Sequence, residues 1–372
     1  MTSSCLDTPA TFTIEPRGPF SLEESVSFGF GQRSAEAYDG VMRLAFCVDG
    51  YRGHAAAAVR QDDSGVQVAV QGEVGLDVVR AQVARVLSLD HDGNEFTAVG
   101  ERDPVIKRLQ LVAPGLRPPL FYSPYEAAAW CVLSARRGAA QAATARGQLN
   151  DAYGATFDIA GQTVAAFPTP DRLLEVSAFP GIDATRLRRL HGIARAAIEG
   201  LLDASRLCAM GAEAAMGEMR RLEGVGPFYA ALIVIRGSGL ADVLPSDEPK
   251  LGNLVARLYG LSAPPSPAEL ASIAESWRPL RTWAAVLIRA ASHRLPVVAE
   301  HRRSPFGAVA AGQAGDPEAD HEEDGHLHHA LDRPVVAHQA DQDQQQRGRQ
   351  GDDADDDMEH RHLAVGPARL VP

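Results

Sequence analysis

Two glycines two residues apart interrupt an otherwise helical stretch at Leu222-Glu223-Gly224-Val225-Gly226-Pro227. A short helix is predicted to end near Arg221, and an apolar helix is predicted from Phe228 to Ile235. Glycines at that spacing allow the tight reversal that joins two antiparallel helices. They also let a ligand approach the backbone closely. The N–H groups that open a helix lack intrahelical acceptors and carry partial positive charge, which suits a phosphate. Taken alone, the pattern is better explained as an ordinary helix–helix turn.

The rest of the chain sets the context. Its 372 residues are 45% apolar and 23% charged, enough for a sizeable core and for two to three domains. No run of about 18 apolar residues is present, and the first residues lack a basic segment followed by an apolar one, so neither a membrane span nor a signal peptide is expected. Cys5, Cys47, Cys131 and Cys208 share no CxxC spacing, which argues against a disulfide framework or a zinc ribbon and for a reducing cytosol. Residues 301–372 hold 15 acids, 7 bases and 8 of the 12 histidines. They show no helical or strand period and read as a disordered tail, residues 300–372. His326, His328 and His329 there are spaced like metal ligands, but a solvated tail explains them more simply. Without this tail the charge is close to balanced. The strong preference for arginine, with Lys107 and Lys250 the two lysines, fits either phosphate recognition or a GC-rich genome.

Residues 1–112 read as a small α+β domain. Met42, Leu44, Phe46 and Val48 alternate, as do Val66, Val68 and Val70, with a hairpin signal at Asp62-Asp63-Ser64-Gly65. Leu76, Val79, Val83, Val86 and Leu87 follow helical spacing, and a further extended piece is expected near residues 96–99. Pro114, Pro118 and Pro119 mark a boundary. Residues 113–299 then read as all-helical, with at least six helices. Ser123-Pro124-Tyr125-Glu126 is a helix start, Ser as cap and Pro in the first turn. An apolar stripe follows through Ala128, Cys131, Val132, Ala135, Ala139, Ala142 and Ala143. Thr169-Pro170-Asp171 opens another helix, and Leu187, Leu190, Ala194, Ile198 and Leu201 lie on one face of a longer one. Asp247 stands in the proline-flanked loop Pro245-Ser246-Asp247-Glu248-Pro249, 21 residues after Gly226. An aspartate there fits a helix cap or a carboxylate facing a cleft.

Residues 222–261 resemble the helix–hairpin–helix, Gly/Pro-rich loop and Asp signature of the DNA base-excision glycosylases, most like the bacterial DNA-3-methyladenine glycosylase II group. Ala113-Pro114-Gly115-Leu116-Arg117, residues 121–129, Phe167-Pro168-Thr169-Pro170, residues 188–200 and Trp277-Arg278-Pro279-Leu280-Arg281-Thr282-Trp283 also fit, covering about 190 residues in the family's order. The resemblance implies an N-terminal antiparallel sheet domain before a helical glycosylase domain. It implies an enzyme that flips a damaged base out of duplex DNA and hydrolyses its N-glycosidic bond, with Asp247 as the catalytic carboxylate. Aromatic faces in the pocket would favour a cationic alkylated purine. Gly224, Val225, Gly226 and Phe228 match the backbone that holds DNA phosphates. The main-chain carbonyls of Arg220, Leu222 and Val225 match a monovalent cation site. Bifunctional relatives carry a nucleophilic lysine where this chain has Phe228, so a monofunctional enzyme without lyase activity is expected. No cofactor is required. The superfamily's four-cysteine iron–sulfur cluster is not expected, because no cysteine follows Cys208.

Two departures stand out. The family's wedge, an apolar residue that fills the gap left by the flipped base, matches Ser134-Ala135-Arg136-Arg137. Arg136 is the candidate wedge or phosphate clamp, with a merely solvated arginine as the alternative. In the pocket set of Tyr125, Phe228, Tyr229 and Leu280, Leu280 replaces a frequent aromatic; Trp130 is read as core. The expected partner is double-stranded DNA containing damaged bases, met by a monomer in the cytoplasm at the nucleoid, with no membrane. A non-catalytic DNA-binding or damage-sensing protein would keep the hairpin without needing Asp247.

Overall fold

The computed structural model describes residues 10–28, 38–246 and 248–295. Asp247 and the tail at 300–372 therefore lie outside the described residues.

The chain begins with β1 (Ala10–Ile14) and α1 (Leu22–Ser27), followed by β2 (Met42–Cys47), β3 (His54–Asp62) and β4 (Gly65–Gln71). The four strands form one antiparallel sheet in the order β1-β4-β3-β2. Asp62 pairs with Gly65, leaving Asp63-Ser64 as a two-residue turn, and the Asp62 carboxylate accepts the Ser64 N–H at 2.8 Å. Met42, Leu44, Phe46, Val66, Val68 and Val70 face α2 (Leu76–Val86), which returns Val79, Val83 and Val86.

The opposite face carries Ala45, Ala56 and Ala58. Their small side chains allow a second hairpin to lie close. This is β5 (Ala155–Ile159) and β6 (Gln162–Ala166), which brings Ile159 and Ala166 into contact with them. Sequence reading missed this hairpin. Its turn residues, Ala160 and Gly161, both take positive φ, as a two-residue hairpin turn requires, but alanine is a poor signal for that conformation.

No strand forms at residues 96–99. Asp92 caps α3 (Gly93–Arg102), accepting the Asn94 N–H at 2.9 Å, and Phe96 and Val99 lie on its buried face at helical spacing. Asp103 caps α4 (Pro104–Val112). Both helices pack on C-terminal helices, so packing crosses the boundary expected at residue 112.

The helical part runs through α5 (Pro124–Ser134), α6 (Ala139–Tyr153), α7 (Pro170–Leu174), α8 (Ala184–Ile198), α9 (Ala204–Met210), α10 (Ala212–Met219) and α11 (Pro227–Leu232). A π-helical turn, Ile233–Gly237, continues α11, and α12 (Pro249–Tyr259), α13 (Pro267–Ala274) and α14 (Arg281–Ala291) follow. Ser123 caps α5 through the Glu126 N–H, as the sequence predicts. The expected apolar stripe from Ala128 to Ala143 is broken: α5 stops at Ser134, Arg136 turns the chain with φ of 54°, and α6 starts at Ala139. On α8, Leu187, Leu190 and Ala194 are buried, but Ile198 at the end of the helix is exposed. Among the described residues, no helix is long and apolar enough to cross a membrane.

Sheet and helices are tied by buried polar bonds. Glu126 accepts the Cys47 N–H at 3.2 Å and pairs with Arg146 at 2.6 Å. Burial pushes the Glu126 carboxyl above its ordinary value, against the pull of Arg146. Tyr51 donates its hydroxyl to the Leu202 carbonyl at 2.5 Å. Removing one partner of a buried pair strands the other charge. Arg146→Met is therefore expected to lower the unfolding free energy by about 3–5 kcal/mol in urea titration. Adding Glu126→Gln, which removes the stranded charge and keeps an acceptor for Cys47, should restore most of that loss.

Candidate active site

The hairpin is built by its own turn bonds. The Arg221 N–H donates to the Glu218 carbonyl, Leu222 N–H to Met219 and Val225 N–H to Leu222, at 3.0–3.1 Å. Gly224 takes φ of 85°, a left-handed conformation that a side chain resists. Val225 is buried in the core, which anchors the turn and leaves Gly224 and Gly226 exposed. Gly226 occupies the cap position of α11 and offers no side chain to the first-turn amides. That end of α11 is thus left to backbone and to whatever anion meets it.

The other residues singled out from sequence fall into three groups. Arg136 and Tyr229 share one end of α5. Tyr229 lies beside Ser134 in the last turn of α5, and burial pushes its hydroxyl up from the ordinary value. The Phe228 ring meets that of Tyr229 edge-on, with centroids 5.6 Å apart. Beyond Ser134 the chain is clamped twice: Arg186 donates to the Ala135 carbonyl at 2.6 Å, and Arg137 donates to the Gly181 carbonyl. Arg136 stands between these clamps with its side chain exposed.

Tyr125 and Leu280 form the second group, and the structure moves both off the surface. Tyr125 is fully enclosed in the core. Its hydroxyl donates to the Pro168 carbonyl at 3.0 Å and its ring lies against Tyr51 and Phe167. The cause is that α5 is buried around its whole circumference, so its first turn has no open side. Leu280 is buried in a different cluster, with Trp277 and Trp283, because the start of α14 packs on α3, α4 and α12. Trp130 is core, as expected.

The third group is the loop that carries position 247. The π-helical turn leads into it, and Gly237 lets that turn close on α5: a Cβ there would lie 2.9 Å from the Pro124 Cα. Upstream of 247 the loop is pinned to the start of α14. The Thr282 N–H donates to the Ala241 carbonyl at 2.9 Å, and its Oγ1 accepts the Val243 N–H at 3.1 Å. Asp242 takes Arg281 and Arg278, each at 2.7 Å. Downstream, Glu248 pairs with Arg289 on α14. Both shoulders of position 247 are thus braced on one helix.

Over 207 residues the chain is 32% identical to the probable bifunctional transcriptional activator/DNA repair enzyme AlkA of Mycobacterium tuberculosis, covering 55% of this chain and 40% of that protein. It is 24% identical over 200 residues to the DNA-3-methyladenine glycosylase of Bacillus subtilis (53% and 66%). It is 29% identical over 183 residues to DNA-3-methyladenine glycosylase 2 of Escherichia coli (48% and 61%). The chain thus spans less than two thirds of the length of these relatives. No family model matches. The 3-methyladenine DNA-glycosylase of Archaeoglobus fulgidus superposes with a TM-score of 0.59 at 19% identity, covering 76% of this chain and 98% of the other. The structure of MBOgg1 in complex with a low-affinity DNA ligand superposes at 0.61 and 18% identity, covering 77% and 96%.

The chain has the fold of the helix–hairpin–helix DNA glycosylases. Within that fold, sequence reading missed the clamps on the Arg136 turn and the brace of Asp242, Arg278, Arg281 and Thr282. The segment around Arg278 carried the family likeness but no role, because its bonds join residues about 40 apart. Glu223 is exposed and bonded to Arg188 and Arg189 of α8. The described cleft lined by Phe96, Gly100, Lys107, Gln110 and Arg117 contains none of the predicted site residues.

The left-handed turn sets a test. Gly224→Ala is expected to cost about 1–2 kcal/mol of stability, since a Cβ at positive φ is strained. Gly226→Ala, with φ of −81° and open space around the added Cβ, should cost less than about 1 kcal/mol. Urea unfolding of the two variants measures the difference.

Proposed function

We propose that this chain is a monofunctional DNA glycosylase acting on alkylated, 3-methyladenine-type or otherwise damaged purines in duplex DNA. The observation that carries the reading is the loop bearing Asp247, braced on both shoulders by α14 in a chain whose hairpin and fold are those of the glycosylases. The residues on either side of position 247 are bonded to one helix, and a catalytic carboxylate has to be held by such a frame.

The backbone around Gly224, Val225, Gly226 and Phe228 takes the phosphates of one strand. Arg136 enters the gap left by the flipped base, stacking its guanidinium plane between neighbours. Its exposed position on a twice-clamped turn supports this role over that of a loose surface cation. Phe228 and Tyr229 offer aromatic faces to the extruded purine, and a purine already cationic from alkylation is favoured there. As the N-glycosidic bond lengthens, positive charge grows on the sugar. The Asp247 carboxylate stabilises that charge and orients the attacking water. Phe228 stands where a Schiff-base lysine would be, so the reaction ends at hydrolysis.

The carbonyls of Arg220, Leu222 and Val225 would hold a monovalent cation beside the phosphates. Their fit rests on the turn: the Leu222 carbonyl accepts the Val225 N–H at 3.1 Å and keeps a second lone pair. No further cofactor enters the reading. A monomer acting on DNA at the nucleoid in the cytoplasm completes it.

Base release from duplexes containing 3-methyladenine, 7-methylguanine or hypoxanthine tests the proposal. Wild type should release free base, with strand scission appearing only after alkali. Asp247→Asn should lower release by about 10²–10³-fold while retaining DNA binding. No release from any lesion, with DNA binding intact in both proteins, would leave a non-catalytic DNA binder. Arg136→Ala should slow release from duplex by about tenfold, since flipping costs a few kcal/mol. It should leave release from single strands unchanged, where there is no gap to fill.

A further inference from the structure

One charged cluster beside the hairpin belongs to none of these roles. Arg188 and Arg189 are adjacent on α8, and both reach the carboxylate of Glu223 in the turn. Arg188 Nη2 donates to Oε1 at 2.6 Å and its Nε to Oε2 at 3.3 Å, while Arg189 Nε lies 3.4 Å from Oε1. The Arg189 side chain runs beside Gly224, where an added Cβ would lie 2.8 Å from its Cδ. The two guanidinium groups therefore flank the part of the turn that is exposed.

The cluster is poorly explained as a stabilising device. The Arg188 and Glu223 side chains are 61% and 52% exposed, and ion pairs so exposed contribute little to stability. Its geometry has a different meaning. The two-point grip of Arg188 on a carboxylate is the grip that a guanidinium makes on a phosphate. Hydrogen bonding to Arg188 holds the Glu223 carboxyl below its ordinary value, so the carboxylate stays ionised as an anion in that grip. Two cations around one anion leave a net positive charge next to backbone suited to phosphates.

We propose that Arg188 and Arg189 form a binding site for a DNA backbone phosphate on the flank of the hairpin, occupied in the free protein by the Glu223 carboxylate until DNA displaces it. The proposal rests on the DNA-binding reading above and adds to it a site and a competitor. The competitor has a use. A protein that inspects mostly undamaged duplex must also let it go, and an internal anion weakens the grip on every sequence equally. Once a backbone phosphate has taken the arginines, Glu223 turns to solvent.

A mutant cycle read by fluorescence anisotropy with undamaged duplex tests this. Glu223→Gln should tighten binding about two- to fivefold, the worth of an exposed ion pair. Arg188→Ala with Arg189→Ala should weaken binding and flatten the slope of log K against log salt by about 0.9 for each phosphate no longer held. In that double-alanine background Glu223→Gln should change nothing. Equal tightening with and without the arginines would overturn the proposal, because Glu223 would then only repel DNA. An unchanged salt slope after removal of the arginines would overturn it as well. Thermal melting verifies each fold, and Arg188→Ala alone, at the more exposed of the two arginines, provides a second variant. Base release by wild type with a flat cycle would remove this site and leave the glycosylase reading standing. Absence of duplex binding by wild type would remove both.

Discussion

Helix α5 is buried around its full circumference, enclosed by protein on every side. α6, α8 and the π-helical turn after α11 supply that enclosure, while Cys47 and Tyr51 of the sheet region close over its start. One buried carboxylate, Glu126, sits in its first turn and joins sheet to helix through Cys47 and Arg146. With α5 so immobilised, its far end becomes a rigid mount. Tyr229 lies beside Ser134 there, and Arg136 follows just beyond.

Buried polar side chains tie other segments together in the same way. Arg117 donates to the carbonyls of Pro19, Ser88, His91, Arg17 and Gly18 with no carboxylate among its hydrogen-bond partners. It thereby joins the loop before α1, the end of α2 and the entry to the helical part. Burial lowers it to about 10. The Asp103 carboxylate accepts from Tyr259, Ser276 and Trp277 while capping α4, which joins α4 to α12 and to the turn after α13. Each such group is costly to bury and stable only when all its partners are present. These knots therefore hold distant segments in register. The residues on either side of position 247 are tied to α14 by bonds of their own.

The functional surface, in this reading, combines rigid and exchangeable parts. Arg136, the hairpin and the braced loop are fixed by bonds that DNA need not disturb. The Arg188–Glu223–Arg189 cluster is exposed and weak, and it is the part that a phosphate is able to rearrange.

Much of this was legible in the chain itself, wherever a local rule sufficed. Alternating valines marked β4, Ser123-Pro124 marked the start of α5, and two glycines marked the hairpin, because periodicity, capping and positive φ act over a few residues. The order of the family's motifs carried the fold class. What failed locally had non-local causes. β5 and β6 are accommodated because alanines of β2 and β3 leave room for them, and the α3 that Asp92 caps is buried by packing of Phe96 on Trp283. Tyr125 read as a pocket wall because its motif, not its neighbours, was visible. Sequence determined where α5 starts, where the turn lies and which carboxylate stands before α12. Tertiary structure alone decided which aromatic residues are enclosed, what braces the loop and which arginines meet Glu223. Those outcomes depend on contacts between residues tens of positions apart, and no short-range pattern encodes such contacts.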